Sequence, residues 1–352
     1  MLILNNDEIG QALDLQECLQ IMEDAYRELT ASRAVNRPTT HSYLAHSLPQ
    51  ATYSFKSVDG GIQKFNILAL RLTSDIVREE KAEGWVRLIK LPRAGRGQYL
   101  GLVQLFNTDT GELLAIMPDG LIQQTRVGIT SALGLKPLCR EDAKTLGLIG
   151  SGGQARSHLR AFATARPLKQ VKVFSPNAEH RNAFAAEMET KSGVEVVPVS
   201  SIGDAIEGSD ILCTATNSSR PVIGGDWLAP GVHYNAIREF EVEESVFHKS
   251  DVIAIHSRFG GIQHYLPQGL KEDLPGVRRE KERDWNRYPE IGDFLTGKAP
   301  GRVTDRQITF FLNNIGTGLQ FAAIGFAVYR KAREMGLGRE IPTDWFLQDI
   351  RP

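Results

Sequence analysis

A glycine-rich turn between an apolar strand and a helix is the strongest chemical signal in the chain. Residues 145–159 read TLGLIGSGGQARSHL, which sets Gly150, Gly152 and Ala155 in a G-x-G-x-x-A spacing. In this context the first glycine permits a tight turn, the second lets the backbone approach a pyrophosphate, and the alanine lets the helix pack closely on the strand. The N–H groups that open such a helix bind phosphate. The predicted dinucleotide site comprises Gly150, Ser151, Gly152, Gly153, Gln154 and Ala155.

Residues after two later strands bear on which dinucleotide binds. The strand VKVF is followed by Ser175 and Asn177, with no Asp or Glu to hold a ribose 2′-hydroxyl as NAD usually requires. Ser175, Asn177 and Arg181 are instead predicted to hold a 2′-phosphate, although Arg181 also fits a solvated helix charge. NADP(H) is therefore favoured and NAD(H) is the alternative. Ligands bind at the carboxyl ends of strands, so the end of DILCTAT predicts contacts to the ribose or nicotinamide from Thr214, Ala215, Thr216 and Asn217.

The elements around these turns change character along the chain. Residues 8–34 show helical spacing of apolar side chains, and residues 51–117 contain short apolar runs separated by turn signals, which predicts a mainly antiparallel sheet. Residues 121–138 predict a helix that stops at Pro137. From Lys144 onward strands alternate with helices, which predicts a parallel sheet covered on both faces.

Composition excludes several classes of protein. Lys plus Arg number 41 and Asp plus Glu number 42, so the chain lacks the basic excess of a protein that binds nucleic acid or a membrane by bulk charge. Three scattered cysteines fit neither a disulfide framework nor a Cys-based zinc site, and no His or carboxylate spacing indicates a metal. The N-terminus lacks the features of a signal peptide. We expect a cytoplasmic protein without a metal.

Five segments together resemble the ornithine cyclodeaminase/μ-crystallin family. They read QTRVGITSALG, GLIGSGGQA, ILCTATNSSRPV, WLAPGVHYNAI and ITFFLNNIGTGLQ, and they span nearly the whole chain in this order. The resemblance implies a homodimer whose N-terminal segment and C-terminal helix build a substrate-binding and dimerisation domain around an inserted Rossmann domain. It also implies hydride exchange between nicotinamide C4 and the α-carbon of an amino or imino acid.

The predicted fold class is therefore α/β, with a Rossmann-type doubly wound parallel sheet inserted in a second α+β domain. We expect residues 1–127 plus 310–352 to form the substrate-binding and dimerisation domain, and residues 128–309 the dinucleotide-binding domain. Residues 304–335 are interpreted as a long apolar helical pattern, and the charged segment 268–289 as an exposed insertion or lid.

An amino or imino acid needs a cation for its carboxylate, and arginine binds carboxylates bidentately. The resemblance places Arg126, in QQTRVGITSALG, at the family's carboxylate-binding arginine, and it places Arg37 near a second one. The family lysine beside the reacting carbon falls on Arg71 in NILALRLTSD, whereas Lys56 lies on the preceding strand. Either Lys56 supplies the ammonium group, or Arg71 replaces it. An arginine cannot donate a proton near neutral pH, so Arg71 would give charge stabilisation or a second carboxylate contact.

A second departure from the family concerns the aspartate that cyclodeaminases carry after their N-A-[VI]-G motif. Residues 234–241 read YNAIREFE, so Arg238 replaces the glycine and Phe240 the aspartate. This pattern disfavours ornithine cyclodeamination. Glu239 is a candidate acid/base, with an exposed loop acid as the equal alternative, and Arg238 suggests an anionic substrate.

These features predict an NAD(P)-dependent oxidoreductase that acts at a carbon–nitrogen bond, reducing an imine or ketimine or oxidising an amino acid. Its partner is a small amino or imino acid. The alternatives are a nucleotide-bound ligand-binding protein like the crystallins, which the altered lysine and aspartate positions favour, and an ornithine or lysine cyclodeaminase. His233 is interpreted as a packing or cofactor-side residue, with catalysis as the minor alternative, and His158 is interpreted as a surface residue.

Overall fold

The computed structural model describes residues 1–82, 85–218, 220–258, 262–267 and 283–349. Most of the charged segment 268–289, interpreted as an insertion or lid, lies outside these ranges. The first half of the fold contains the following elements, in order: β1 (Leu2–Ile3), α1 (Asn6–Ala12), α2 (Leu15–Thr30), β2 (Ala34–Asn36), β3 (Thr40–Ala45), β4 (Ala51–Ile62), β5 (Ile67–Ala82), β6 (Trp85–Leu91), β7 (Leu100–Asn107), β8 (Leu113–Pro118) and α3 (Gly120–Leu138).

The second half continues from Thr145 to the C-terminal region. Its elements are β9 (Thr145–Ile149), α4 (Gly153–Ala165), β10 (Gln170–Phe174), α5 (Ala178–Ser192), β11 (Glu195–Pro198), α6 (Ile202–Ile206), β12 (Ile211–Thr214), β13 (His233–Ala236), α7 (Glu244–Lys249), β14 (Val252–Ile255), β15 (Gln263–Tyr265), α8 (Ile291–Leu295), β16 (Thr309–Leu312), α9 (Gly318–Met335) and β17 (Arg339–Glu340).

The N-terminal sheet is mainly antiparallel, as the sequence predicts. Its strand order is β15-β3-β4-β5-β7-β8-β1-β17, with β2 paired to β4 and β6 paired to β5. Along β4 and β5 the apolar side chains alternate with polar ones, so that Val58 and Ala69 are buried in the core. The long helix α9 packs on β4 and β5 of this sheet and contacts α2 and α3, and the hydrophobic core formed there continues into the second half of the chain.

The second sheet is parallel throughout, in the order β11-β10-β9-β12-β13-β16-β14. Every residue of β12, β13 and β16 is buried, as expected for strands that are covered on both faces. The strand order reverses between β9 and β12, and ligands bind in the crevice at such a reversal. The predicted doubly wound α/β class is therefore confirmed.

Three expectations about element bounds need correction. The pattern over 304–335 is not one helix, because Thr309–Leu312 forms a buried parallel strand before α9 begins. A short, wholly apolar run fits a buried strand and a buried helix equally well by periodicity. The boundary expected after residue 309 therefore cuts a strand, and the one expected after residue 127 cuts α3, which runs on through Pro137 to Leu138.

Helix α9 docks on the sheet through glycine at its first position. A Cβ atom built on Gly318 would lie 1.9 Å from the carbonyl carbon of Asp59, and one built on Gly60 would lie 2.3 Å from the Leu319 nitrogen. The backbones of β4 and α9 are therefore in direct contact, and this contact fixes the start of α9 against the strand that carries Lys56. Only glycine fits this approach, since both obstructing groups are main chain.

We expect Gly318→Ala to lower the free energy of unfolding by at least about 3 kcal/mol, because α9 must shift to admit the methyl group. Gly120→Ala is the matched control, since Gly120 also opens a helix but its Cβ would meet nothing within 4 Å. Urea unfolding of both variants measures the difference. Equal stability of the two would contradict the close approach of α9 to β4.

Candidate active site

A cleft of about 420 Å³ lies at the carboxyl ends of β9, β10 and β12, where the strand order reverses. The predicted glycine turn forms one wall and the end of β12 another. The cleft is lined by Ile149, Gly150, Ser151, Gly152, Gly153, Gln154, Phe174, Ser175, Pro176, His180, Ala215, Thr216 and Asn217. Sequence reasoning named most of these residues as cofactor-binding, but it missed Ile149, Phe174, Pro176 and His180.

The glycine turn has the shape that a pyrophosphate needs. Gly150 has φ +121°, and a Cβ atom there would lie 2.4 Å from the Ala215 carbonyl oxygen. A Cβ atom on Gly152 would meet nothing within 4 Å, so open space stands in front of this backbone. The N-terminus of α4 has no side-chain cap, and its first N–H groups are available to an anion. Ala155 is fully buried and allows α4 to pack closely. These features fit a dinucleotide.

The other predicted cofactor residues divide into two groups. Ser175, Ala215, Thr216 and Asn217 line the cleft. Outside the lining, Thr214 is fully buried and its hydroxyl lies 3.0 Å from that of Tyr234, while Asn177 caps α5 and Arg181 donates to the Ser175 carbonyl oxygen at 3.0 Å.

His158 is buried, so its interpretation as a surface residue is wrong. Its Nδ1 donates to the Gln154 carbonyl oxygen at 2.7 Å, and its Nε2 lies 3.0 Å from the Ser131 hydroxyl. Asn313 donates to Ser131 in turn. These bonds join α4 to α3 and to the end of β16, and burial lowers the pKa of His158 to about 4. The position of His158 on α4 did not predict this burial from the sequence, because the helix that covers it, α3, belongs to a different segment of the chain.

On the substrate side, Arg126 is a buried cation held by neutral groups. Its Nη1 donates to Gln320 Oε1 at 2.7 Å and its Nε to Gln123 Oε1 at 3.2 Å, and its guanidinium lies 5.3 Å from the Phe321 ring centre. Within the described ranges no carboxylate forms an ion pair with it. Burial, with repulsion from Arg71, lowers the pKa of Arg126 to about 9, so it remains charged at neutral pH. Such a cation suits an anionic ligand.

Arg71 lies over the same aromatic ring but has its own carboxylate. Its guanidinium is 5.2 Å from the Phe321 ring centre, and its Nε and Nη2 donate to Asp119 Oδ2 at 2.9 and 2.7 Å. Two cations thus lie over one aromatic ring, and only Arg71 is paired with a carboxylate. Asp119, Gln320 and Phe321 were not predicted, because they meet Arg71 and Arg126 only through the packing of α9 and α3 on the sheet.

Lys56 and Arg71 face the same side of the sheet. Lys56 pairs with Thr73 across β4 and β5, and Arg71 precedes Thr73 by two residues. Residues two apart on a strand share a face and lie about 7 Å apart. The two alternatives for the family lysine are therefore neighbours on one surface. Arg37 is more than half exposed and pairs instead with Asp59 at 2.9 Å.

Three consecutive residues follow β13 closely and have different contacts: Arg238, Glu239 and Phe240. Glu239 accepts from Arg283 Nε at 3.0 Å, and Arg283 also pairs with Glu244, so this carboxylate is engaged in an ion-pair network. Arg238 lies 5.7 Å from the Phe240 ring centre, and burial lowers its pKa. Phe240, at the position of the cyclodeaminase aspartate, therefore provides packing for a cation.

Glu241 is the residue of this segment that sequence reasoning passed over. It is fully buried, and its Oε1 accepts from both the backbone N–H and the hydroxyl of Thr216, each at 2.6 Å. Its sequence signal is the same as that of Glu239, since both are acids in one short loop. Burial alone distinguishes them.

Two other histidines have structural contacts. His233 is fully buried, as its interpretation as a packing residue requires, and its Nδ1 lies 2.9 Å from the Thr309 hydroxyl. His41 lies on β3 with its Nδ1 3.0 Å from the Tyr43 hydroxyl, and burial followed by repulsion from Lys56 lowers its pKa to about 3. Cys18, Cys139 and Cys213 are all buried thiols. In the part of the chain that the structure describes, no helix combines the length and hydropathy of a membrane span.

Comparison with known proteins identifies the class to which this fold and site belong. A Delta(1)-pyrroline-2-carboxylate reductase of Bacillus cereus is 27% identical over 97% of this chain and 99% of its own length. The solved Thermococcus litoralis Delta(1)-pyrroline-2-carboxylate reductase, in complex with NADH and L-proline, is 26% identical with a TM-score of 0.77, covering 97% and 100% of the two chains. The iminosuccinate reductase of Paracoccus denitrificans shares the fold at 21% identity, with a TM-score of 0.74 and coverage of 97% and 99%.

These relatives confirm the expected class of NAD(P)-dependent oxidoreductase. A sequence model of the ornithine cyclodeaminase/mu-crystallin family matches residues 90–336, and the chain belongs to this family.

The buried His158 generates a prediction about acid stability. The folded state keeps this imidazole neutral down to about pH 4, whereas the unfolded chain takes up a proton near pH 6.5, so acid favours unfolding. Between pH 7.5 and 5.5 this one group should remove about 1.4 kcal/mol from the free energy of unfolding.

Between pH 7.5 and 5.5, we expect the free energy of unfolding of His158→Gln to fall by about 1.4 kcal/mol less than that of the wild type. His248→Gln is the control, because His248 is exposed on α7. Urea denaturation at the two pH values gives the difference. An unchanged pH dependence in His158→Gln would show that this imidazole is not held neutral.

Proposed function

We propose that the protein is an NAD(P)H-dependent reductase of α-imino acids, with Δ1-pyrroline-2-carboxylate as the first substrate to test. The observation that carries this proposal is Arg126, a buried guanidinium with amide partners and no carboxylate ion pair among the described residues. A bound carboxylate would supply the missing counter-charge and form a bidentate contact. The Bacillus and Thermococcus relatives, which align over nearly the whole chain, support this choice of substrate.

The positions of α3 and α4 support an encounter between substrate and cofactor. Arg126 lies on α3, and Gln124 of the same helix approaches Gly153 in the cofactor cleft, where a Cβ atom would lie 3.0 Å from Gln124 Nε2. A carboxylate on Arg126 is therefore held within a short distance of the cleft. Nicotinamide supplies the hydride when bound. The protein contributes orientation and charge complementarity, which are the main contributions of a protein to cofactor chemistry.

Lys56 is the group that we assign to proton transfer at the imine nitrogen. It faces the same side of the sheet as Arg71, and an ammonium group releases a proton where a guanidinium does not. Arg71, held by Asp119, orients the substrate through charge. Glu239 is a weaker candidate because its carboxylate is bound to Arg283. Cyclodeamination is disfavoured, since Phe240 offers no carboxylate for an amine.

We assign the cofactor as NADP(H) in preference to NAD(H). The cleft near the end of β10 is lined by Ser175, Pro176 and His180, and it includes no acidic side chain among its described lining residues. Arg181 adds a cation beside Ser175. This environment favours a 2′-phosphate over a free 2′-hydroxyl. We also assign the protein to the cytoplasm as a homodimer, on the family resemblance and the buried thiols.

Fluorescence titration with NADPH and NADH tests the cofactor assignment. We expect NADPH to bind at least tenfold more tightly, because each factor of ten corresponds to about 1.4 kcal/mol, within reach of one charge-assisted contact to phosphate. Arg181→Gln should reduce this preference without weakening NADH. Tighter binding of NADH would overturn the NADP(H) assignment, and failure to bind either nucleotide would overturn the proposed function.

The proposed role of Arg126 as the carboxylate anchor is tested by the kinetics of Δ1-pyrroline-2-carboxylate reduction in the variant Arg126→Met. We expect KM for the imino acid to rise about 100-fold, since a bidentate charged contact is lost, while NADPH binding stays unchanged. Arg160→Met is the control, because Arg160 lies exposed on α4. Tight nucleotide binding without turnover of any imino acid would favour a ligand-binding protein instead.

A further inference from the structure

Glu241 joins the two ends of the loop that forms one wall of the cofactor cleft. Its side-chain Oε1 accepts two bonds from Thr216 at the start of the loop. Its main-chain oxygen accepts from Val222 N at 2.8 Å and from Ile223 N at 3.3 Å at the end of the loop. Thr216 lines the cleft together with Ala215 and Asn217. One residue therefore sets the position of this wall from behind.

The wall has little freedom to move, because it also touches the glycine turn. The Ala215 carbonyl oxygen occupies the place where a Cβ atom on Gly150 would stand, at 2.4 Å. The Thr216 hydroxyl further accepts from Ser218 N at 3.1 Å, which shapes the turn that follows. A displacement of Thr216 would therefore alter both the wall and the phosphate-binding turn beside it.

The Glu241 carboxylate is buried, and the groups around it determine whether it carries a charge. Glu241 Oε2 is buried and has no hydrogen-bond partner among the described residues. The ionisable groups that act on Glu241 are Arg238 on its own segment, Cys213 on β12 and Tyr234 on β13. Burial raises the pKa of the Cys213 thiol and of the Tyr234 phenol well above their ordinary values, so both stay neutral. Arg238 is thus the counter-charge.

We propose that Glu241 is a positioning residue that sets nucleotide affinity by holding Thr216 with an ionised carboxylate. The proposal rests on the proposed function, in which this cleft binds a nicotinamide dinucleotide. An ionised oxygen accepts the two Thr216 bonds more strongly than a neutral carbonyl oxygen does. The free energy that holds the loop in place therefore depends on the charge of Glu241, which does not line the cleft.

This assignment links cofactor affinity to pH. Burial raises the pKa of Glu241, while the bonds from Thr216 and the charge of Arg238 lower it. As the pH falls through this pKa, the carboxyl becomes neutral and the bonds to Thr216 weaken. Nucleotide affinity should fall with them. NADH is the appropriate probe, because it has no 2′-phosphate that titrates in the acidic range.

The experiment is a fluorescence titration of NADH against wild type, Glu241→Gln and Glu243→Gln over a series of pH values downward from 8.0. We expect Glu241→Gln to raise Kd about tenfold at pH 8.0, because a charged acceptor becomes a neutral one of the same size. As the pH is lowered and the carboxyl of the wild type becomes neutral, the ratio of the two Kd values should fall towards one. Glu243 is the matched control, since its carboxylate is exposed two residues away. KM for the imino acid at saturating NADH should not change.

Equal Kd values for wild type and Glu241→Gln at pH 8.0 would overturn the proposal. A ratio that stays constant over the whole pH series would also overturn it, because a purely structural role does not require the charge. If Glu241→Gln does not fold, Glu241→Asp replaces it. The shorter side chain keeps the charge but withdraws the carboxylate from Thr216, so the Kd for NADH at pH 8.0 should rise. If the wild type itself binds no nucleotide, the proposed function has failed instead.

Discussion

Two guanidinium groups that lie over one aromatic ring, only one of them paired with a carboxylate, set the chemical character of this protein. Arg71 and Arg126 both lie over Phe321, and Asp119 compensates only Arg71. A buried charge without a counter-ion is costly, so the remaining cation favours any anion that can reach it. The arrangement depends on α9, which supplies Phe321 and Gln320, and α9 in turn depends on its glycine contact with β4.

Helix α3 connects this cationic site to the nucleotide cleft. Arg126 and Ser131 lie on the same helix, one bound to α9 and the other to His158 of α4. The helix therefore belongs to both halves of the fold. A rigid element that holds Arg126 at one point and the glycine-turn helix at another fixes the distance between the proposed carboxylate anchor and the nucleotide cleft. Orientation of this kind is the main means by which a protein accelerates hydride chemistry.

Periodicity and motif context predicted the glycine turn and the alternation of strands and helices in the nucleotide half of the molecule. Gly150, Gly152 and Ala155 follow a strand and open a helix, and local sequence dictates that geometry. The same reasoning failed for Thr309–Leu312, where a buried strand reads like a buried helix. It also failed for His158, because exposure on a helix is decided by the elements that cover it.

The sequence by itself determined the fold class and, through its resemblance, the family, because both are carried by short segments, and it suggested Arg126 as the residue to propose for a carboxylate. Only the tertiary structure decided which carboxylates are engaged. Glu239 and Glu241 are two residues apart, yet one pairs with Arg283 and the other is buried behind Thr216. Likewise Arg71 and Lys56 became neighbours only through strand register. Burial and pairing are long-range properties, since they depend on residues that the chain brings together from distant positions.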